Sequence, residues 1–219
     1  MPLTFKKFTY PLLLASSLFV AMPASAGIIE VANNIGKSST TGTALTGSHL
    51  AAQAFTTPNS DSIRNIMITV NLSGNGLDSN DTFEAFIYNS LSGSPITIGT
   101  YANINATGIA ASAGNVALTG LNLTTLTKAT TYYLVLSGLG SAQNHALAWS
   151  YTTDNSGSGP GFLTNNAIYD SVWQDFTADP YLIKVEAEIP EPASLALFMI
   201  GLVGLGFPRR KAVQPARAQ

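Results

Sequence analysis

The sequence predicts an all-β domain built as an antiparallel β-sandwich, with a segment outside the fold at each end. Three observations predict it. Charged residues make up 10% of the 219, against ~25% in typical soluble domains. Their place is taken by Thr, Ser, Asn, Gly and Ala, which suit strands and polar turns. Strand-length runs of alternating apolar and polar residues recur through the middle of the chain, and one apolar stretch stands near each terminus.

The first segment, 1–26, reads as a secretory signal peptide. Lys6 and Lys7 precede an apolar run from Tyr10 to Val20, and Ala24 and Ala26 supply the small residues of an A-x-A cleavage pattern. Cleavage there makes Gly27 the new N-terminus. The apolar run is short for a retained membrane anchor.

The body, 27–189, reads as strands throughout. Ile66, Ile68, Val70 and Leu72 alternate with Met67, Thr69 and Asn71, the signature of a half-buried strand. A turn-rich stretch at 73–81 follows. Phe83, Ala85 and Ile87 alternate with Glu84, Phe86 and Tyr88, and Ile96 to Thr100 continues after a turn. Val116 and Leu118 mark a further strand. Thr131 to Leu139 carries Tyr132, Leu134 and Leu136 on one side and Tyr133, Val135 and Ser137 on the other. Both sides are largely apolar, which places this strand in the centre of a sheet. Leu147, Trp149 and Tyr151 share one side of the next strand, a Gly/Ser/Asn loop spans Asp154 to Gly161, Ile168 to Trp173 forms a weaker strand, and Tyr181 to Ala187 forms the last. Seven or more strands at this spacing indicate two packed antiparallel sheets, jelly-roll-like or immunoglobulin-like in topology.

The far end, after 189, opens with Pro190, Glu191 and Pro192. Two prolines around one glutamate hold the backbone extended and remove two N–H donors. An apolar segment, 193–207, follows and contains Gly201, Gly204 and Gly206. As a helix it rises about 22 Å, short of the ~30 Å hydrocarbon core, so it spans only with thinning or snorkelling. Arg209, Arg210 and Lys211 then hold the tail, 212–219, on the cytoplasmic side. That topology places the body outside, as the N-terminal segment also requires.

Charge limits the partners. The formal net charge is -2, but the body holds only four basic residues (Lys37, Arg64, Lys128, Lys184) against eleven acidic ones. Nucleic acid is not an expected partner of such a surface. The chain has no cysteine, which excludes disulfides and thiolate chemistry.

Catalytic patterns are sparse. His49 and His145 belong to no metal-binding pattern, and no G-x-S-x-G elbow occurs. An enzyme is therefore not expected. Two binding alternatives stay open. Asp78, Asn80, Asp81 and Glu84 lie within seven residues and offer oxygen ligands for calcium, although the spacing is not that of an EF-hand. Trp149, Tyr151, Trp173 and Phe176 would stack on an extracellular polysaccharide if exposed; the alternative is that Trp149 and Tyr151 face the core.

The order Pro190-Glu191-Pro192, glycine-containing apolar helix and terminal Arg-Arg-Lys closely resembles the PEP-CTERM sorting signal, over residues 190 to about 211. That resemblance implies export by the general secretion machinery. It also implies recognition by exosortase, a membrane protease, and delivery to the cell surface or extracellular matrix. The body resembles the choice-of-anchor surface domains of type R. The resemblance rests on Ala51 to Thr56, Ile63 to Leu72, Phe83 to Tyr88 and, most specifically, Leu126 to Leu136. It implies an anchored surface module and supplies no catalytic residues. The N-terminal reading predicts that protein recovered from its own cells begins at Gly27; N-terminal sequencing that instead finds Met1 would identify a retained anchor.

Overall fold

The computed structural model describes residues 27–189 except 41, 60–62, 76, 78–81, 93–96, 106–108, 119–125 and 140–145. Among the described residues twelve strands form two antiparallel sheets. Sheet A contains β1 (Gly27–Asn33), β2 (Thr43–Ala44), β4 (Arg64–Asn75), β7 (Gly114–Leu118), β9 (Ala146–Trp149) and β12 (Ile183–Ile189). Its order is β1-β12-β4-β9-β2, with β7 also paired to β4. Sheet B contains β3 (His49–Thr56), β5 (Thr82–Tyr88), β6 (Thr97–Asn105), β8 (Thr131–Leu139), β10 (Phe162–Asp170) and β11 (Val172–Phe176). Its order is β11-β10-β3-β8-β5-β6. The fold is the expected sandwich.

Alternation builds the core. Ile66, Ile68, Val70 and Leu72 of β4 meet Val185 and Ala187 of β12, Phe83 and Ile87 of β5, and Tyr132, Leu134 and Leu136 of β8, all buried. At ~25 cal/mol per Å² of apolar surface removed from water, this shared interior is the main stabilising term. The two largest rings in it, Trp149 and Tyr181, stack at 4.7 Å. The Trp149 Nε1 donates to the Leu182 carbonyl at 3.1 Å, so the buried indole keeps a partner. β8 lies between β3 and β5, the central place expected from its two apolar sides.

Two irregularities depart from the expected pattern. Ile168 to Trp173 is not one strand. Ser171 takes a φ of 68° and turns the chain back, so that Asp170 pairs with Val172 and Tyr169 with Trp173. Alternation alone carries no mark of such a reversal, because a left-handed serine is uncommon. Further back, Leu163, Thr164 and Asn165 of β10 stand opposite Ala54 alone, between the pairs Phe162–Phe55 and Asn166–Gln53. A bulge of this kind leaves carbonyls without ladder partners. Gln53, wholly buried, repairs it: its Nε2 donates to the Leu163 carbonyl at 2.9 Å and the Asn165 carbonyl at 3.0 Å. Its Oε1 accepts from the Tyr181 N–H at 2.8 Å.

Gly161 closes one edge of the sandwich. Its N–H donates to the Val31 carbonyl of sheet A and its carbonyl accepts from the Thr56 N–H of sheet B. A Cβ there would sit 1.7 Å from the Thr56 oxygen. Two expected outcomes follow for thermal unfolding. Gln53→Leu keeps the volume but orphans buried groups, and lowers Tm by roughly 5–15 °C. Gly161→Ala costs roughly 1–3 kcal/mol through the forced displacement of β3 from β1. Unchanged melting in both variants would show that neither contact couples the sheets.

Candidate functional site

The structure presents three features at its surface: its two chain ends, a cleft between the sheets, and the outer faces of the sheets. Each follows from the strand register.

The ends lie together. β1 and β12 are antiparallel neighbours, and Gly27 is the register partner of Ile189. Opposed residues in such a pair sit about 5 Å apart at their Cα atoms. The segment before Gly27 and the segment after Ile189 therefore leave the body at one end of one sheet. Pro190 follows the last paired residue directly, with no intervening linker. Glu188, the penultimate strand residue, accepts a hydrogen bond from the Asn65 side chain at 2.5 Å. The sorting residues Pro190, Glu191, Pro192, Arg209, Arg210 and Lys211, and the cleavage residues Ala24 and Ala26, lie outside the described residues. So does the apolar segment 193–207; among the described residues no helix is long and apolar enough to cross a membrane.

A cleft of about 210 Å³ opens between the sheets, lined by Thr43, Tyr151, Ile168, Phe176, Asp179 and Tyr181 among others. Tyr151 meets Tyr181 edge to face at 6.4 Å, and the Tyr181 hydroxyl is paired with the Thr43 hydroxyl at 2.8 Å. Burial pushes the Tyr181 phenol up to about 12, the Thr43 bond opposing the shift. Phe176, 42% exposed, stands at the mouth. Asn166 closes the back of the cleft, donating to the Ala178 carbonyl at 2.7 Å and the Asp179 carbonyl at 3.2 Å.

The outer faces of the two sheets differ. That of sheet A is mainly polar: Thr69 and Asn71 of β4, Asn115 of β7, and Lys184, Glu186 and Glu188 of β12, with the exposed Met67 and Ile28 beside Glu186 and Glu188. Lys184 and Glu186 form an ion pair at 2.8 Å. Glu30 lies opposite Glu186. Hydrogen bonds from Ser158 and Asn33 hold its carboxyl below the usual range, with Lys184 adding a smaller pull against the cost of burial. The outer face of sheet B is aromatic. One cross-strand row runs Glu84, Ser137, Leu50, Tyr169, Trp173; the next runs Phe86, Val135, Ala52, Ala167, Asp175. Tyr88 and Tyr133 begin a third. Val135, Ala52 and Ala167 are wholly buried beneath the half-buried Leu50, Phe86, Tyr133 and Trp173. Tyr169 and Trp173 pack at 5.3 Å, and Phe86 and Tyr88 stack at 5.8 Å. Burial pushes the Tyr133 phenol up and the Asp175 carboxylate adds to the shift.

The structure separates the aromatic residues singled out from the sequence. Trp149, at 0% exposure, belongs to the core and offers no ring to a sugar, because its side of β9 faces sheet B. Tyr151 shares that side but lines the cleft. Trp173 stands on the outer face of sheet B. Phe86, Tyr88, Tyr133 and Tyr169 join it there. Their signal was the second apolar side of the strands, a side that core packing does not use. Of the calcium set, Glu84 sits in β5 beside Ser137, while Asp78, Asn80 and Asp81 lie outside the described residues, as does His145. Among the described residues no three His, Cys, Asp or Glu side chains gather to hold a metal. His49 opens β3 opposite Asp170.

Comparison with known proteins agrees with the tail. The family model of the PEP-CTERM protein-sorting motif matches residues 188–211. Its first two residues, Glu188 and Ile189, are the last two of β12. The motif is that of an exported protein passing through the membrane to the cell surface, with processing by exosortase, a membrane protein. No curated protein matches the chain.

The raised Tyr181 pKa has a testable sign. The folded state favours the neutral phenol, so this contribution is complete below about pH 10, the unfolded value. It is lost as pH rises toward about 12. Denaturant titrations at pH 9, 10.5 and 12 should show falling stability, and Tyr181→Phe should flatten that fall.

Proposed function

We propose that this chain is a non-enzymatic component of the cell surface or extracellular matrix. It is exported by the general secretion machinery, held by its C-terminal segment, and released by an exosortase-type protease near Pro190-Glu191-Pro192. The observation that carries the reading is the sorting motif at residues 188–211. The position of the body's ends supports it. Gly27 and Ile189 are strand partners, so an N-terminal signal and a C-terminal anchor both start from one end of sheet A. Two membrane segments can then occupy one bilayer while the body stays on one side, as the positive-inside arrangement of Lys6-Lys7 and Arg209-Arg210-Lys211 requires.

The perturbed groups have structural causes, which supports a binding or scaffolding role over a catalytic one. Tyr181 and Tyr133 are shifted by burial. Asp154, lowered to about 2, is held by Ser156 and Lys37 on an exposed loop. These are neighbours that fix loops and pack rings.

The proximity of the tripeptide to β12 has a consequence for processing. Ile189 is paired to β1, so a protease that grips Pro190 to Pro192 works directly against the folded edge. Glu191→Ala is expected to leave the tail attached, and intact mass of the membrane fraction should include 193–219. Wild-type protein should appear outside the cell with a mass ending near residue 190. Equal processing and delivery of both would remove the tripeptide from the sorting mechanism.

A further inference from the structure

An antiparallel sheet with one face on a core ordinarily turns polar side chains to water on the other. Sheet A does so. Sheet B presents two aromatic pairs, Tyr169–Trp173 and Phe86–Tyr88, and the Tyr133 ring, over a floor of Val135, Ala52 and Ala167. Tyr169, Trp173, Tyr133 and Phe86 remain half-exposed, while Tyr88 is buried in the same cluster as Leu91. The core is built from the inner sides of both sheets, and these rings stand on the opposite side of sheet B.

We propose that the outer face of sheet B binds a neutral polysaccharide, laid across the strands from the Tyr169–Trp173 pair to Tyr133 and Phe86. The proposal concerns the body and does not depend on how the tail is processed. Three features support this occupant. Tyr169, Trp173, Tyr133 and Phe86 are half-exposed, with Tyr169 packed on Trp173 and Phe86 stacked on the buried Tyr88, so they offer flat apolar surfaces to the C–H faces of sugar rings with little entropy left to lose. β8 and β11 are three strand steps apart, about 14 Å at 4.8 Å per step, a length that calls for a chain and not a single sugar. Acceptors flank the rings: Glu84 beside Ser137 at one side, Asp175 at the other. Sugar hydroxyls are the donors such carboxylates take.

The sign of the charge excludes the other polymers. No Lys or Arg occurs in any of β3, β5, β6, β8, β10 and β11, while Glu84, Asp170 and Asp175 do. A uronate or sulfated chain, a nucleic acid or an anionic lipid surface would bring like charge to this face without a cation to pair it. A second copy of the same face would add carboxylates and no cation.

Affinity electrophoresis of the protein recovered from its own cells tests this. The gels would hold a neutral β-glucan, a neutral α-glucan, an N-acetylated amino-glucan or a polyuronate. Retardation by at least one neutral polymer and not by the polyuronate is expected. Trp173→Ala and Tyr133→Ala should each weaken that retardation about tenfold, the loss of one ring contact. The chain has two tryptophans, so the blue emission of the buried Trp149 reports that each variant is folded. The binding polymer should shift the emission of Trp173 in the native protein. No retardation by any neutral polymer, retardation by the polyuronate alone, or undiminished binding in both folded variants would each overturn the proposal. Self-association that Trp173→Ala abolishes would overturn it in favour of a second copy.

Discussion

The amide side chains of Gln53 and Asn166 face each other across β3 and β10, inside the sandwich and away from water. Both are there because β10 carries extra residues and the turn before Tyr181 brings bare carbonyls inward. Gln53 serves Leu163, Asn165 and Tyr181; Asn166 serves Ala178 and Asp179. Buried backbone groups must find partners somewhere, and here two side chains supply them. The pair also links sheet B to the start of β12, since Tyr181 stacks on Trp149 and Leu182 accepts from its indole. Asn34 repeats the device from the side of β1. Its side chain donates to the Tyr181 carbonyl and accepts from the Ile183 N–H. The segment 178–183 is thus held by amides from three directions.

That fixation determines where the last strand runs. β12 enters between β1 and β4 with its inner residues already placed by Tyr181 and Ile183, and it ends opposite Gly27. The sorting motif begins within the strand, at Glu188. The motif and the folded body therefore share Glu188 and Ile189. Any pull on Ile189 is carried by the β1–β12 ladder, in which Gly27 is its register partner.

The two outer faces divide the work. Sheet A is mainly polar, with Lys184, Glu186 and Glu188 outward, and carries the ends of the body. Sheet B is aromatic and bears carboxylates without cations, and the β10–β11 hairpin widens it beyond the sandwich. Val172, at 63% exposure, shows how far that hairpin stands clear of sheet A. The cleft under it, between Phe176 and Tyr151, comes from the same overhang.

Much of this was legible in the sequence. The low charge and the alternation around Ile68, Ile87, Leu134 and Val185 specified strands and a sandwich, because a period of two is imposed by the backbone itself. Both apolar sides of β8 were visible, and so was the tail, since Pro-Glu-Pro, apolar run and basic cluster are local patterns that need no fold. What the sequence could not rank was the two sides of each strand. Trp149 and Trp173 look alike in composition and neighbourhood. One is sealed and the other faces out, because burial depends on which strands lie across the interior, a matter of pairing over more than a hundred residues. The reversal at Ser171 and the bulge at Leu163 to Asn165 were hidden for the same reason. A left-handed serine and three residues opposite one are tolerated only when distant groups, here Gln53 and Asn166, satisfy what they leave bare. Local periodicity and the sorting ends belong to the sequence; the assignment of aromatic rings to core, cleft or outer face belongs to the tertiary structure, where non-local packing decides it.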